Sequence, residues 1–473
     1  MNKSRRSFLN VLGGLSSASC AGVSPSFLTT MAGLGALSAQ SAHASGPVGY
    51  KALVCLYMQG GNDSHNWVVP IDAGGYMEYA RARGELAIAR GSLDTISQSS
   101  QAAGRMFGMA RELNPLRKWY ESGQAALVAN VGTLNRPTTL AEFKSNSGLP
   151  SKLFSHNDQA ATWQSMAPEG GTSGWGGRIG DILMSANQSP AFTSVSTAGN
   201  AVFLSGRTVS QYEVGADGPV AVRGAGAQSI FYSSSAPAVL RRSMQLEGNT
   251  PYQAEYAKVM RRSVESAAQL RAAMANVSVP ALPSAGIAVN AGTSISLSSD
   301  RLARQLRTVA QMVGASSMLG MRRQVFMVSI GGFDTHADQM RDQPVLMARV
   351  AHAVDYFLTS LSMMGMLNNV TLFTASDFGR TLTTNGSGSD HGWGSHHFVA
   401  GGAVNGGDIY GSFPTTALRT DLDTGSGRLL PTTAVAQYAG TLGKWMGLGN
   451  SDLLDVFPLL SRFSTHDLGF MRA

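Results

Sequence analysis

Four short, mostly apolar runs punctuate the chain, and each stops at a turn signal. Residues 52–58 (ALVCLYM) run into Gly60, Gly61, Asn62 and Asp63, and residues 124–131 end at Gly132. Residues 324–330 end at Gly331 and Gly332, and residues 370–375 (VTLFTA) end at Ser376, Asp377, Phe378 and Gly379. Runs of this length between glycine-rich turns predict strands buried on both faces. Elsewhere the apolar spacing becomes helical. It does so over 251–275, over 299–319 behind Ser298, Ser299 and Asp300, over 344–364 with Pro344 near the first turn, and over 432–445. Strands alternating with such helices predict an α/β fold with a mostly parallel central sheet covered by helices on both faces.

The middle of the chain is less regular. Residues 199–235 carry short β-like pieces such as 201–204 among many Gly and Ser, and 277–298 is rich in Pro, Ser, Gly and Ala. Together, 199–298 reads as a small insertion or cap that ends in a mobile loop. With 55 glycines and only 14 % charged residues, the chain is expected to have many tight loops around a large core.

At the N-terminus, Arg5 and Arg6 precede a mild apolar stretch that ends in Ala42-His43-Ala44, a small-x-small cleavage pattern. This reads as a twin-arginine signal peptide over 1–44, an export address and not an anchor. Gly13, Gly14, Ser16, Ser17, Ser19 and Pro25 interrupt the stretch, which argues against a spanning helix. The mature chain, 45–473, is expected to be a single domain with no membrane span. It would be periplasmic or secreted, with the twin-arginine translocase as its partner during export. The signal carries Lys3, Arg5 and Arg6 and no acid, so its removal takes the formal charge from +7 to +4 (7 − 3). No basic stripe with interleaved aromatics remains, so nucleic acid is not an expected partner. Of the two cysteines, Cys20 leaves with the signal. Cys55 then has no intramolecular partner and is expected in the core.

In open α/β sheets, ligands bind beyond the carboxyl ends of the strands. The chemically capable residues lie just there. Asn62, Asp63, Ser64, His65 and Asn66 follow the first strand; Asp334, Thr335 and His336 follow the third; Asp377 and Arg380 follow the fourth. Shortly beyond come Asp390, His391, His396 and His397. Six of the eight histidines outside the signal fall in these places or in Ser155-His156-Asn157-Asp158, leaving His352 and His466 elsewhere. Converging Asp and His suit borderline divalent ions such as Zn or Mn. Two such ions can clamp the attacking and leaving oxygens of a displaced ester.

Ordinary readings stand beside these. Asp63 could cap backbone amides in a turn, His336 and Asp334 could be a core pair, and the Asp377–Arg380 stretch could close a helix N-terminus or form a buried ion pair. His396 and His397 are neighbours in a strand and cannot both point inward, so one of them is expected beside His391. Ser155, at a predicted helix start, is the candidate nucleophile or an N-cap.

These stretches resemble a known family, the twin-arginine-exported bacterial proteins grouped as domain of unknown function 1501. The matching segments are QGGNDSHN at 59–66, residues 155–163, GWGGR at 174–178, GGFDTHADQ at 331–339, SDFGRT at 376–381 and, longest, DHGWGSHHFVAGGAVNGGDIYGSFP at 390–414. The match runs from about Tyr50 to the C-terminus. That family is similar to the alkaline phosphatase and sulfatase superfamily. The resemblance implies an alkaline-phosphatase-like α/β domain with one or two divalent ions (Zn, Mn or Ca). The ligands it implies are Asp63, Asp334, His336, Asp377 and His391 or His396. The spacing departs from the superfamily in two places: Asp334 and His336 are separated by a single residue, and Phe378 follows Asp377 where a histidine is usual. On this reading Ser155 or an activated water attacks, Arg380 balances the oxyanion charge, and Asn62, His65, His156, Asp390 and His397 support the ligands or face the substrate. The expected function is an exported metal-dependent hydrolase of small anionic phosphate or sulfate esters. The alternative is a non-catalytic binding or assembly protein of the cell envelope that keeps the fold.

Overall fold

The first apolar run is a strand, β1 (Lys51–Met58), in the interior of a nine-stranded sheet. The computed structural model describes residues 49–167, 170–220, 224, 228–246, 250–290 and 292–472, so the expected signal segment lies outside the described residues. Along the chain the sheet also takes β2 (Ala125–Gly132), β3 (Ser194–Ser196), β4 (Tyr212–Glu213), β5 (Arg323–Ile330), β6 (Val370–Ser376), β7 (Ser395–Ala400), β8 (Ile409–Tyr410) and β9 (Thr433–Ala434). Their spatial order is β8-β2-β7-β6-β1-β5-β3-β4, with β9 also beside β2. Every pairing in this sheet is parallel except the two made by β7, with β6 and with β2.

Helices α1 (His156–Ser165), α2 (Trp175–Leu183), α3 (Pro251–Met274), α4 (Arg301–Gly314), α5 (Gln339–Met363) and α6 (Val435–Met446) complete the main framework. Side chains alternate along a strand, and β1 divides its residues between two cores accordingly. Ala52, Val54, Leu56 and Met58 enter one core with α4 and α5, whereas Leu53, Cys55 and Tyr57 enter a second core with α2 and α6. Both faces are therefore covered, which is why the strand is apolar throughout. Cys55 is buried and free, as expected. The α/β class expected from the sequence is the class observed, and residues Gly49–Ala473 form one unit.

Local differences have local causes. Helix α4 begins where the Asp300 side chain accepts from the Ala303 amide at 3.0 Å, an N-cap of the ordinary kind. Helix α5 begins at Gln339, five residues before Pro344 (344 − 339). Its first turn and a half is polar because Gln339 and Gln343 are buried and hydrogen-bonded to Asp63, so no apolar periodicity marks it. The expected β-like piece at 201–204 is instead a tight helical turn, Val202–Leu204. Gly174 allows that turn to pack close, since a Cβ there would overlap the Val202 carbonyl oxygen. Within 277–298 the chain forms a hairpin, Ile287–Asn290 with Thr293–Ile295, and Tyr356 of α5 donates to the Pro280 carbonyl at 2.5 Å. No helix among the described residues is long and apolar enough to cross a membrane.

Candidate metal centre

Three loops leave the carboxyl ends of β1, β5 and β6 side by side, the position at which open α/β sheets bind ligands. Glycine lets them touch. Gly60 has φ +113°, and a Cβ there would overlap the Asp334 amide nitrogen. Its own N–H donates to Asp377 Oδ2 at 3.2 Å. The N-terminus of α1 and the hairpin of Arg380–Thr384 with Ser389–His391 close over the same point.

Three histidines meet there around one carboxylate. The Nε2 atoms of His156, His336 and His391 lie 3.5, 3.2 and 3.3 Å from the Asp334 carboxylate oxygens. Each ring is held through its other nitrogen. His156 Nδ1 is 2.8 Å from Asp377 Oδ2, His336 Nδ1 is 3.2 Å from Asp390 Oδ1, and His391 Nδ1 is 2.7 Å from the Phe154 carbonyl oxygen. A carbonyl and an ionised carboxylate can only accept, so each Nδ1 carries a proton and each Nε2 is turned toward Asp334. His336 Nε2 and His391 Nε2 are 2.8 Å apart, so a proton between them or a metal ion beside them must separate their lone pairs.

Burial lowers the His391 imidazole, the hydrogen bond to the Phe154 carbonyl opposes it, and the neighbouring His156, Arg380 and His336 add to the lowering. Burial alone would raise the Asp334 carboxyl, but the hydrogen bond and charge of Arg380 outweigh it and hold the group below the ordinary range. The Phe378 ring packs at 4.8 Å from His156 and 4.5 Å from His391 and, being buried, excludes water beneath them. Arg428 donates to the His391 carbonyl at 2.8 Å and stacks over Phe154, which fixes the backbone that supplies both.

The donor set therefore fits a divalent ion. His156, Asp334 and His391 each offer a ligand atom, all within 4.8 Å of one another, and no other group of three or more such residues occurs among the described residues. Two imidazoles and one carboxylate are a common catalytic set for zinc. The carboxylate–histidine contact of Asp377 with His156 is the usual way such ligands are oriented.

The other expected ligands are placed differently. Asp63 is buried, and its carboxylate is taken by Arg83 and Gln339, with the His65 amide donating to the second oxygen at 3.1 Å. Burial would raise this carboxyl, but Arg83 holds it low. Asp63 thus follows the turn-capping reading, adds a buried ion pair to Arg83 that the sequence does not announce, and lies outside the ligand group. His396 also lies outside it. Its Nδ1 accepts from the Asn130 amide at 3.0 Å and its ring stacks on Phe413 at 4.2 Å. His396 and His397 point to opposite faces of β7, as neighbours in a strand must, and both are buried because β7 is covered on both faces; neither joins His391 in the ligand group. His397 turns to the opposite side, against Trp163 and Tyr438.

Asn62 and His65 join His396 and His397 as deeply buried residues below the cluster. Both polar side-chain atoms of Asn62, Nδ1 of His65 and the Nε2 atoms of His396 and His397 have no hydrogen-bond partner among the described residues. Ser155 occupies the N-cap position of α1 without capping it, because its Oγ donates to Asp158 Oδ2 at 2.8 Å. Arg380, expected to face an oxyanion, has its guanidinium engaged by the Gly60, Gly61 and Ser389 carbonyls and by Asp334. It positions Asp334 and has no free edge.

The buried histidines carry a pH dependence. An unfolded histidine protonates near pH 6.5, roughly, whereas burial lowers His65 to about 4 and His397 to about 3. Between those values the unfolded chain binds more protons than the folded one. Stability is therefore fully present above the unfolded value and is lost as pH falls through the folded values. Denaturant melts of metal-free protein should show a clearly lower midpoint at about pH 4.5 than at about pH 7. Equal midpoints would mean that these rings take up protons in the folded state.

Arg83, Gln339, Phe154 and Arg428, which hold the named residues in place, are not expected from the sequence. None carries a local signal, since each acts across a long stretch of chain. His156, expected in a supporting role, stands at the centre; its place beside Ser155 at a helix start favours the hydroxyl on sequence grounds alone.

No curated protein matches this chain. Among solved structures it is similar to a sulfatase from Pseudoalteromonas sp., at 9 % identity and TM-score 0.34, over 92 % of this chain and 72 % of the other. It is similar also to a 2-O GAG sulfatase, at 8 % and 0.34, over 85 % and 71 %. No residue's role is transferred from either. The segments that carry the cluster, from the turn after β1 to the hairpin before β7, lie inside a match to one family model over residues 50–456, and the chain belongs to that family, described as protein of unknown function (DUF1501).

Proposed function

We propose that the protein is an exported metal-dependent hydrolase of phosphate or sulfate esters. The observation that carries this reading is the convergence of three Nε2 atoms on the Asp334 carboxylate at the carboxyl ends of the central strands. His156, Asp334 and His391 would hold the ion, with Zn and Mn the best matches to the donors. When bound, such an ion supplies Lewis-acid polarisation of the ester and a lower pKa for an attacking water.

The chain's own residues do the rest. Asp377 and the Phe154 carbonyl aim His156 and His391. Arg380 fixes the Asp334 carboxylate from below. His336 has a 43 % exposed side chain and an Asp390 contact at Nδ1, which places it on the open side to accept a proton at Nε2 and return it to the leaving oxygen. Ser155, bonded to Asp158, is not needed as a nucleophile. The twin-arginine segment supports export of a folded protein to the periplasm or beyond.

The test is elemental analysis of chelator-free protein together with hydrolysis of nitrophenyl phosphate and nitrophenyl sulfate. Near-stoichiometric metal with saturable hydrolysis supports the reading; no metal after reconstitution sinks it. Tight metal without turnover on any ester would favour the envelope-binding reading instead. The engagement of Asp63 and Arg380 inside the fold, which leaves only one ligand group among the described residues, is what keeps that second reading open.

The orienting contact gives a graded prediction. Asp377→Asn keeps the size of the side chain but removes the anion that aligns His156. Metal affinity should fall by about 10- to 100-fold, the usual cost of losing such a partner, while the fold is retained. A chelator competition titration measures it. An unchanged affinity would mean that His156 is not a ligand.

A further inference from the structure

A cleft of about 330 Å³ opens between one side of α1, from Asn157 to Gln164, and the segment 198–202. Tyr57 and Gln59 form one wall at the end of β1, and Asp377 stands just behind Tyr57, close enough to push its hydroxyl up further after burial has done so. The cleft and the candidate metal centre are therefore neighbours across one side chain, and His156 and Asn157 are consecutive residues at the start of α1.

The chemistry of the lining is distinctive. Four carboxamides, Gln59, Asn157, Gln164 and Asn200, face the cleft, and none of its lining residues carries a formal charge. The side chains of Gln59 and Asn157 make no hydrogen bond among the described residues. Gln164 Oε1 accepts from the Phe203 amide at 3.1 Å and its NH₂ stands beside the Tyr57 hydroxyl, whereas Asn200 Oδ1 accepts from Gln211, which keeps the Asn200 NH₂ for a ligand. The Tyr57 hydroxyl is buried at 3 % exposure, between the Asp377 carboxylate and the Gln164 carboxamide. The remaining wall is alanine with Val202 and Met327, which leaves a shallow apolar floor.

We propose that this cleft binds the alcohol portion of the ester, and that this portion is an uncharged, hydroxyl-rich group. The identity of the bound group follows from the lining; only its attachment to an ester rests on the hydrolase reading. Each hydroxyl both donates and accepts, as does each carboxamide, so adjacent hydroxyls can be satisfied in pairs. A second anionic group would find no cation here. An acyl chain would strip water from four amides and return nothing. Sites built from hydrogen-bonding groups reject analogues that lack them more strongly than apolar pockets reject added groups.

Ligand-detected NMR titration of the full chain tests this, with myo-inositol and methyl glucoside as probes and cyclohexanol as the ring that lacks the extra hydroxyls. Saturable binding of the two polyols is expected, with cyclohexanol at least about tenfold weaker. The double variant Asn157→Leu, Asn200→Leu alters two exposed side chains and should weaken polyol binding about tenfold as well. No saturable polyol binding, equal binding of cyclohexanol, or indifference to the double variant each overturns the proposal. Polyol binding that persists in a protein shown to hold no metal leaves the cleft assignment standing and removes the hydrolase. Ester hydrolysis whose KM is unaffected by the double variant does the reverse.

Discussion

Asp334→Asn is expected to strip the protein of its metal and, with it, of ester hydrolysis, while the chain still folds. Asp334 is the one carboxylate that all three inward-facing imidazoles approach, and its side chain is 46 % exposed, so its replacement leaves no sealed cavity. Asparagine keeps an oxygen for Arg380, whose other donors already have three backbone carbonyls, but removes the anion that neutralises a divalent ion. Loss of an orienting partner costs about 10- to 100-fold, and loss of a ligand should exceed that, on the order of 10³-fold in affinity. His391→Ala should match it, because His391 supplies the second ligand atom without sharing the ion pair to Arg380. Metal content after dialysis, read beside far-UV circular dichroism, separates the outcomes. A folded Asp334→Asn protein with full metal would show that the cluster is only a hydrogen-bonded network.

How far the residues announce this arrangement depends on whether their cause is local. Strands β1, β5 and β6 are legible because burial on both faces leaves a mostly apolar run, and the turns behind them because glycine must relieve close contacts such as Gly60 with Asp334. Strand β7, SHHFVA, is hidden by its two histidines, each of which is buried on a different face. Strands β3, β4 and β8 span three, two and two residues and carry no period at all. At the site, the clustering of histidine after strand ends points to the corner of the fold where three of these rings meet around Asp334. It does not separate ligands from scaffolding. Asp63 and Asp334 look alike as acids just past a glycine turn, and only a distant residue distinguishes them: Arg83 for the first, the imidazoles for the second.

That difference gives a second large effect, this time on stability. Asp63→Ala should destabilise the protein by about 3–5 kcal/mol, because it leaves the Arg83 guanidinium buried without its anion. The pair has side chains 0 % and 1 % exposed, and Gln339 donates to the same carboxylate. Arg83→Met should cost a similar amount by leaving Asp63 charged and buried. The double variant Asp63→Leu, Arg83→Met removes both charges and should be less damaging than either single change, since a buried pair replaced by apolar groups is often near neutral. Arg83 also donates to the Thr381 and Leu382 carbonyls, which will remain unsatisfied in the double variant and set a floor on the recovery. Denaturant titration of the three variants measures this coupling. Metal affinity, in the protein that remains folded, should stay within a few-fold of the parent, because Asp63 contacts none of the three ligands. An Asp63→Ala protein as stable as the parent but unable to hold metal would reverse the assignment and return Asp63 to the ligand set.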